Sequence, residues 1–254
     1  MSLLQCRQLC VHIADRRVCD GLHLTVEGGE TWGVLGMNGA GKTTLLLTLC
    51  GLRSAQPGDI EIDGRPLAAW QGRKLARVRG YMAQDTHDAF PLTTLEAALV
   101  GRHPHQPAWA WESPEDIVIA RAALRRVGLS GMEGRDCTSL SGGERRRLAL
   151  AALLAQQPQL YLLDEPTTHL DPHHQIALLD LLAEERAAGK AIVMSLHDPN
   201  LATRYCSHVL LLFGDGEFAC GPAPDLLTAE NLSRLYRHPV RAHQTSDGVC
   251  FLVG

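Results

Sequence analysis

From Leu3 to Val26 apolar and polar residues partly alternate, with a turn signal at Ala14-Asp15-Arg16, so the chain is expected to begin with antiparallel strands. The pattern then changes. Thr31 to Leu35 is a short run of buried-strand type, a glycine-rich loop follows, and Lys42 to Cys50 is predicted as a helix stopped by Gly51. Pro57-Gly58-Asp59 and Asp63-Gly64 bracket a hairpin strand at Ile60 to Ile62, and Val78 to Ala83 predicts another short strand ending at Gln84. From Asp85 to about Gln157 the spacing becomes helical, with helices predicted over Thr94 to Arg102, Ser113 to Val127 and Gly142 to Gln156, the last stopped by Pro158.

Leu160 to Leu163 is wholly apolar, as in a strand buried on both faces of a parallel sheet. Asp171-Pro172 supplies an N-cap and a first-turn proline for a helix ending at Gly189. Ala191 to Leu196 is another buried strand, and a helix follows from Asn200 to Tyr205. Strands alternating with helices predict an α/β fold with a mostly parallel sheet, an N-terminal antiparallel β subdomain and an inserted α-helical lobe. One folding unit, 1–254, is expected, with a core from 1–84 and 159–236, a lobe at 85–158 and a tail at 237–254.

The chain has 254 residues, 45% hydrophobic and 20% charged, enough for a sizeable core. Its net charge of −4 lacks the basic excess of a protein that grips nucleic acid, so no nucleic-acid partner is expected. The eight cysteines form no C-x-x-C pair and read as reduced thiols. Met1 to Arg17 lacks the parts of a secretion signal, and the apolar runs fall short of the roughly 20 residues that cross a bilayer, so any membrane role needs another chain.

GMNGAGKTT, Gly36 to Thr44, lies between a predicted strand and helix. Gly36, Gly39, Gly41, Lys42 and Thr43 match G-x-x-x-x-G-K-[ST], in which backbone N–H groups turn inward around phosphate oxygens. Met37, Asn38, Ala40 and Thr44 complete that nucleotide-binding stretch. Lys42 is expected on the β and γ phosphates and Thr43 on Mg²⁺. LYLLDEP delivers Asp164 towards the metal and Glu165 to where a water attacking the γ phosphate would stand, so Glu165 is the expected general base. LSGGE places Ser141, Gly142, Gly143 and Glu144 at a helix start, a second candidate anion nest.

With these motifs in this order the sequence resembles the ATP-binding cassette (ABC) ATPases along nearly its whole length. GMNGAGKT resembles their Walker A motif, Gln84 their Q-loop, LSGGE their signature, LYLLDEP their Walker B, His169-Leu170-Asp171 their D-loop, and His197 in SLHD their switch histidine. The resemblance implies a P-loop NTPase (RecA-like) core and a homodimer that sandwiches ATP between Walker A of one copy and LSGGE of the other. It also implies a place for Gln84 at Mg²⁺ and in signalling to a membrane partner, for Asp171 at the dimer site, and for His197 on the γ phosphate. Met37 stands where these loops often carry proline. Ile13 stands where the family usually stacks an aromatic ring on adenine, which removes the π component of stacking.

Other polar clusters read as surface. His169, His173 and His174 have a spacing that a metal site could use, but His173 and His174 suit an exposed first helical turn, and His103 and His105 suit a loop. Arg145 to Arg147 and Glu184-Glu185 read as solvated faces.

The stretches LVGRHPHQPAWAW, HDPNLATRYCSHVLLL and GPAPDLLTAENLSRLY resemble the ATPase subunits of importers for ferric siderophores, haem and cobalamin, with Pro199 in place of a usual leucine. That resemblance implies a peripheral subunit on the cytoplasmic face of the membrane. A polytopic permease dimer would be the direct partner, received on the Asp85 to Arg102 surface, and an extracytoplasmic substrate-binding protein an indirect one. The rival readings are a soluble ABC regulator of DNA or ribosomes and a small-molecule kinase; LSGGE argues against the kinase.

Overall fold

The partly alternating start of the chain folds as a long antiparallel hairpin, β1 (Ser2–Ile13) and β2 (Arg16–Glu27), turning at Ala14-Asp15. The computed structural model describes residues 1–54, 58–84, 92–107, 111–246 and 248–254. The turn expected at Pro57, the part of the 85–102 surface before Leu92 and part of the stretch from Leu99 to Trp111 lie outside the described residues.

β3 (Thr31–Gly36) is buried at every position and leads through the glycine loop into α1 (Lys42–Leu49). β4 (Asp59–Ile62) and β5 (Arg65–Pro66) extend the first sheet in the order β2-β1-β4-β5, all antiparallel. Next come α2 (Gly72–Val78), which the patterning does not assign because Leu75 alone is buried in it, and β6 (Arg79–Met82).

The helical lobe follows as α3 (Thr94–Leu99), α4 (Pro114–Arg126) and α5 (Gly142–Gln156). All three open with a capping box, Thr93 with Glu96, Ser113 with Asp116 and Ser141 with Glu144, in which side chain and backbone satisfy each other's first-turn donors. Arg102, in the turn after α3, is buried and fastens the lobe: Nε donates to Asp116 Oδ1 (2.9 Å) and Nη1 to the Ala155 carbonyl (2.8 Å).

β7 (Leu160–Leu163), α6 (Pro172–Ala187), β8 (Ala191–Ser195) and α7 (Pro199–Tyr205) complete what the patterning foresees. Beyond Tyr205 the structure adds β9 (His208–Gly214), β10 (Glu217–Pro222), α8 (Ala223–Leu226), α9 (Ala229–Tyr236) and a final hairpin, β11 (Val240–Thr245) with β12 (Gly248–Val253).

The central sheet runs β10-β9-β3-β8-β7-β6, parallel throughout except for β10 on its edge. Successive side chains of its strands point to opposite faces and both faces are covered, which explains why its inner strands β3, β7 and β8 are buried at every position. Leu160 and Leu162 join the antiparallel sheet and α1 in one core; Tyr161 and Leu163 join α6 and the helical lobe in the other. The lobe is thus packed into the core of the central sheet. Glu184 and Glu185, read above as a solvated face, both pair with Arg126 of α4, and Glu185 also accepts the hydroxyl of buried Tyr161 (3.0 Å).

Candidate functional site

The loop after β3 turns into α1 through Gly39 and Gly41, both with positive φ, 76° and 101°. At Gly41 an added Cβ would stand 2.5 Å from Val18 Cγ2, so only glycine lets β2 lie over the loop. No side chain caps the first turn of α1, which leaves its N–H groups facing outward for an anion. Lys42, 5% exposed, donates from Nζ to the carbonyls of Gly36 (3.0 Å) and Met37 (3.4 Å). Burial lowers its pKa, against the pull of Glu165 and Asp164.

β7 ends beside this loop and carries Asp164 and Glu165 with it. Glu165 has φ 46°, a left-handed backbone that costs a non-glycine residue about 1 kcal/mol. Its Oε1 stands 2.6 Å from His197 Nε2, at the end of the neighbouring strand β8, and 3.9 Å from Lys42 Nζ. Its Oε2 accepts from Gln84 Nε2 (2.9 Å) and Thr168 Oγ1 (3.3 Å). These groups face a cleft of about 340 Å³. Asn38, Gly39, Gly41, Thr43 and Thr44 line it from the loop side, Ile13 from the hairpin, and Gln84, Glu165 and His197 from opposite. Gly36 and Met37 offer carbonyls to Lys42, and Ala40 is buried under the loop.

Asp164 is fully buried. Its Oδ1 accepts from Ser195 Oγ (2.7 Å), whose oxygen in turn accepts the Glu165 N–H (2.7 Å), while Oδ2 has no hydrogen-bond partner among the described residues. An orphaned carboxylate oxygen on Asp164, next in the chain to Glu165, and the Thr43 hydroxyl and Gln84 amide that line the cleft are oxygen donors of the kind that Mg²⁺ and its waters take, so the residues fit that ion.

Ser141, Gly143, Glu144 and Asp171 do not reach this cleft. They line a separate depression with His169 and His174, and Gly142 lies beside His169. There the Ser141 N–H lowers the pKa of Glu144, and the His174 N–H, followed by the His174 ring (Nδ1 2.8 Å from Oδ2), lowers that of Asp171, the N-cap of α6. His173 lies edge-on to His174.

The arginine run is not a solvated face throughout. Arg146 is 4% exposed and donates to the carbonyls of Ala83 (2.5 Å), Gln84 (2.8 Å), Asp164 (2.5 Å), Glu165 (2.6 Å) and Pro166 (3.2 Å). One guanidinium fork therefore ties the backbone of Gln84 to that of Glu165, holding the strained turn from the lobe side. Its register with Leu150 and Leu153, both buried, was the available signal in the sequence. Ser195 and Thr168 were missed as well; Ser195 is the one polar residue in the apolar run of β8.

A phosphate loop between strand and helix, a buried aspartate and a glutamate held between lysine and histidine define a P-loop nucleotide hydrolase. Residues 19–168 match the ABC transporter family. The hemin import ATP-binding protein of Streptomyces coelicolor is 40% identical over 91% of this chain and 82% of its own length. The ferric enterobactin transport ATP-binding protein of Escherichia coli is 36% identical over 93% of this chain and 88% of its own. A solved structure described as an inward-facing metal-chelate type ABC transporter superposes with a TM-score of 0.87, at 29% identity over 100% of this chain and 98% of its own. The chain belongs to the ABC transporter family, as an ATP-binding subunit that hydrolyses ATP. Among the described residues no helix is long and apolar enough to cross a membrane.

Proposed function

We propose that this chain is the homodimeric motor of an importer for a metal chelate, a ferric siderophore, haem or cobalamin. It would work at the cytoplasmic face beneath a separate polytopic permease dimer fed by an extracytoplasmic binding protein. The names of the relatives and the metal-chelate type of the structural neighbour support the cargo class. The division of the machinery within one chain carries the dimer: the cleft at Lys42 and Glu165 and the depression at Ser141 and Asp171 are separate surfaces.

In this reading the N–H groups of Gly39 to Thr44 and Lys42 bind the β and γ phosphates, and Ser141 to Gly143 of a second copy close over them. Thr43, Gln84 and Asp164 would hold Mg²⁺, which when bound offsets the negative charge of the phosphates. Glu165 takes the proton of the attacking water. Gln84 and Thr168 hold one of its oxygens and His197 stands at the other, so the carboxylate keeps one orientation in the cleft. Gln84 would signal from the site to the permease received on the Asp85 to Arg102 surface.

Isolation of the chain from membranes tests the assignment. Recovery with a polytopic permease, and ATPase activity that needs magnesium, is the expected result; recovery with ribosomes or nucleic acid instead would overturn it.

A further inference from the structure

His197 presents an imidazole that is 45% exposed, yet its Nε2 stands 2.6 Å from Glu165. So open a side chain has little packing around it, and its aim depends on how its backbone is held. The loop from His197 to Asn200 is held from an unexpected side. Tyr236, the last residue of α9, donates its hydroxyl to the His197 carbonyl at 3.0 Å. At the other end Asn200 makes two bonds to one residue of β12: Nδ2 donates to the Phe251 carbonyl (3.1 Å) and Oδ1 accepts the Phe251 N–H (2.7 Å).

These anchors are themselves fixed. Phe251 is 4% exposed and shares a core with Leu232 and Leu235 of α9 and Val240 of β11. Burial, with the Asp198 charge second, pushes the Tyr236 hydroxyl up to about 12, so it remains a protonated donor at neutral pH. Asp198 is occupied in capping α7 through the Asn200 N–H (2.8 Å).

We propose that α9 and the β11–β12 hairpin form a brace for the histidine loop, with Tyr236 as a positioning residue for His197 and the Asn200–Phe251 pair as the second anchor. The brace rests on the reading of His197 as part of the hydrolytic site. It makes this last segment of the fold a determinant of turnover, although it lies outside the nucleotide cleft.

Tyr236→Phe removes one hydroxyl and keeps the ring. In the full-length dimer it is expected to lower kcat by roughly 3- to 10-fold and leave the KM for ATP within about twofold, with Asn200→Ala behaving alike. The deciding readout is the double-mutant cycle: in a His197→Ala background Tyr236→Phe should change kcat no further, because its effect runs through that side chain. An unchanged kcat in Tyr236→Phe, or an equal loss in both backgrounds, would overturn the brace. His197→Ala turning over at the wild-type rate would overturn the site reading itself, and the brace with it.

Discussion

His197 Nε2 and Glu165 Oε1 stand 2.6 Å apart at the ends of two adjacent parallel strands, β8 and β7. The pairing of those strands therefore sets the pairing of the side chains, and the sheet delivers a histidine and a carboxylate to the phosphate loop together. Gln84, from the end of the next strand in order, β6, donates to the other oxygen of the same carboxylate.

Glu165→Gln keeps the shape of the side chain and removes its ability to take a proton. Phosphate release should fall by about 10²- to 10⁴-fold while ATP affinity, read by titration with a fluorescent nucleotide, stays within a few-fold of wild type. Loss of affinity in step with loss of rate would mean that Glu165 binds nucleotide and is not the base.

Arg146→Ala leaves buried carbonyls of the turn at Glu165 without donors. A loss of about 3 kcal/mol in urea denaturation is expected, together with a fall in kcat. Arg146→Lys should recover only part of either, since one ammonium cannot reproduce a planar fork.

Asp116 has its pKa held down to about 2, chiefly by the hydrogen bond from Arg102 and then by Ser113. A carboxylate with a depressed folded-state pKa contributes stability above its unfolded value near 4, and that contribution is lost as pH falls from about 4 towards 2. Asp116→Asn, which leaves the buried Arg102 without its counter-charge, should unfold about 3 kcal/mol more easily at neutral pH. The gap from wild type should shrink as pH falls from about 4 towards 2. A gap independent of pH would place the loss in packing.

Ile13 lines the cleft beside the glycine loop and is 37% exposed. Ile13→Tyr should supply the missing π face and tighten ATP by about 0.5–1.5 kcal/mol, roughly 2- to 12-fold in Kd, without changing kcat. No gain would mean that the base lies elsewhere.

Much of the candidate cleft was legible because the residues that line it are carried by short local motifs: a glycine loop, an acid pair after an apolar strand, a histidine after another. Arg146 was not, because three consecutive arginines look solvated and only the helical register with Leu150 and Leu153 distinguishes the middle one. The apolar run of β9, from Val209 to Phe213, was open to a strand assignment, whereas β11 buries Val240 alone and shows no alternation. Tyr236 could not be read at all, since its role depends on a tertiary contact with a backbone oxygen 39 positions away.

In the proposed dimer each hydrolytic site would take Glu165 from one copy of the chain and Ser141 from the other. Glu165→Gln and Ser141→Arg proteins, each inactive alone, are unfolded or dissociated together, allowed to reassociate and assayed for ATP hydrolysis. Half of randomly paired dimers are mixed, and each mixed dimer has one wholly wild-type site of its two, so activity should return to roughly a quarter of wild type. A mixture no more active than its two components would rule out the shared site, because sites complete within a single chain cannot be restored by exchange.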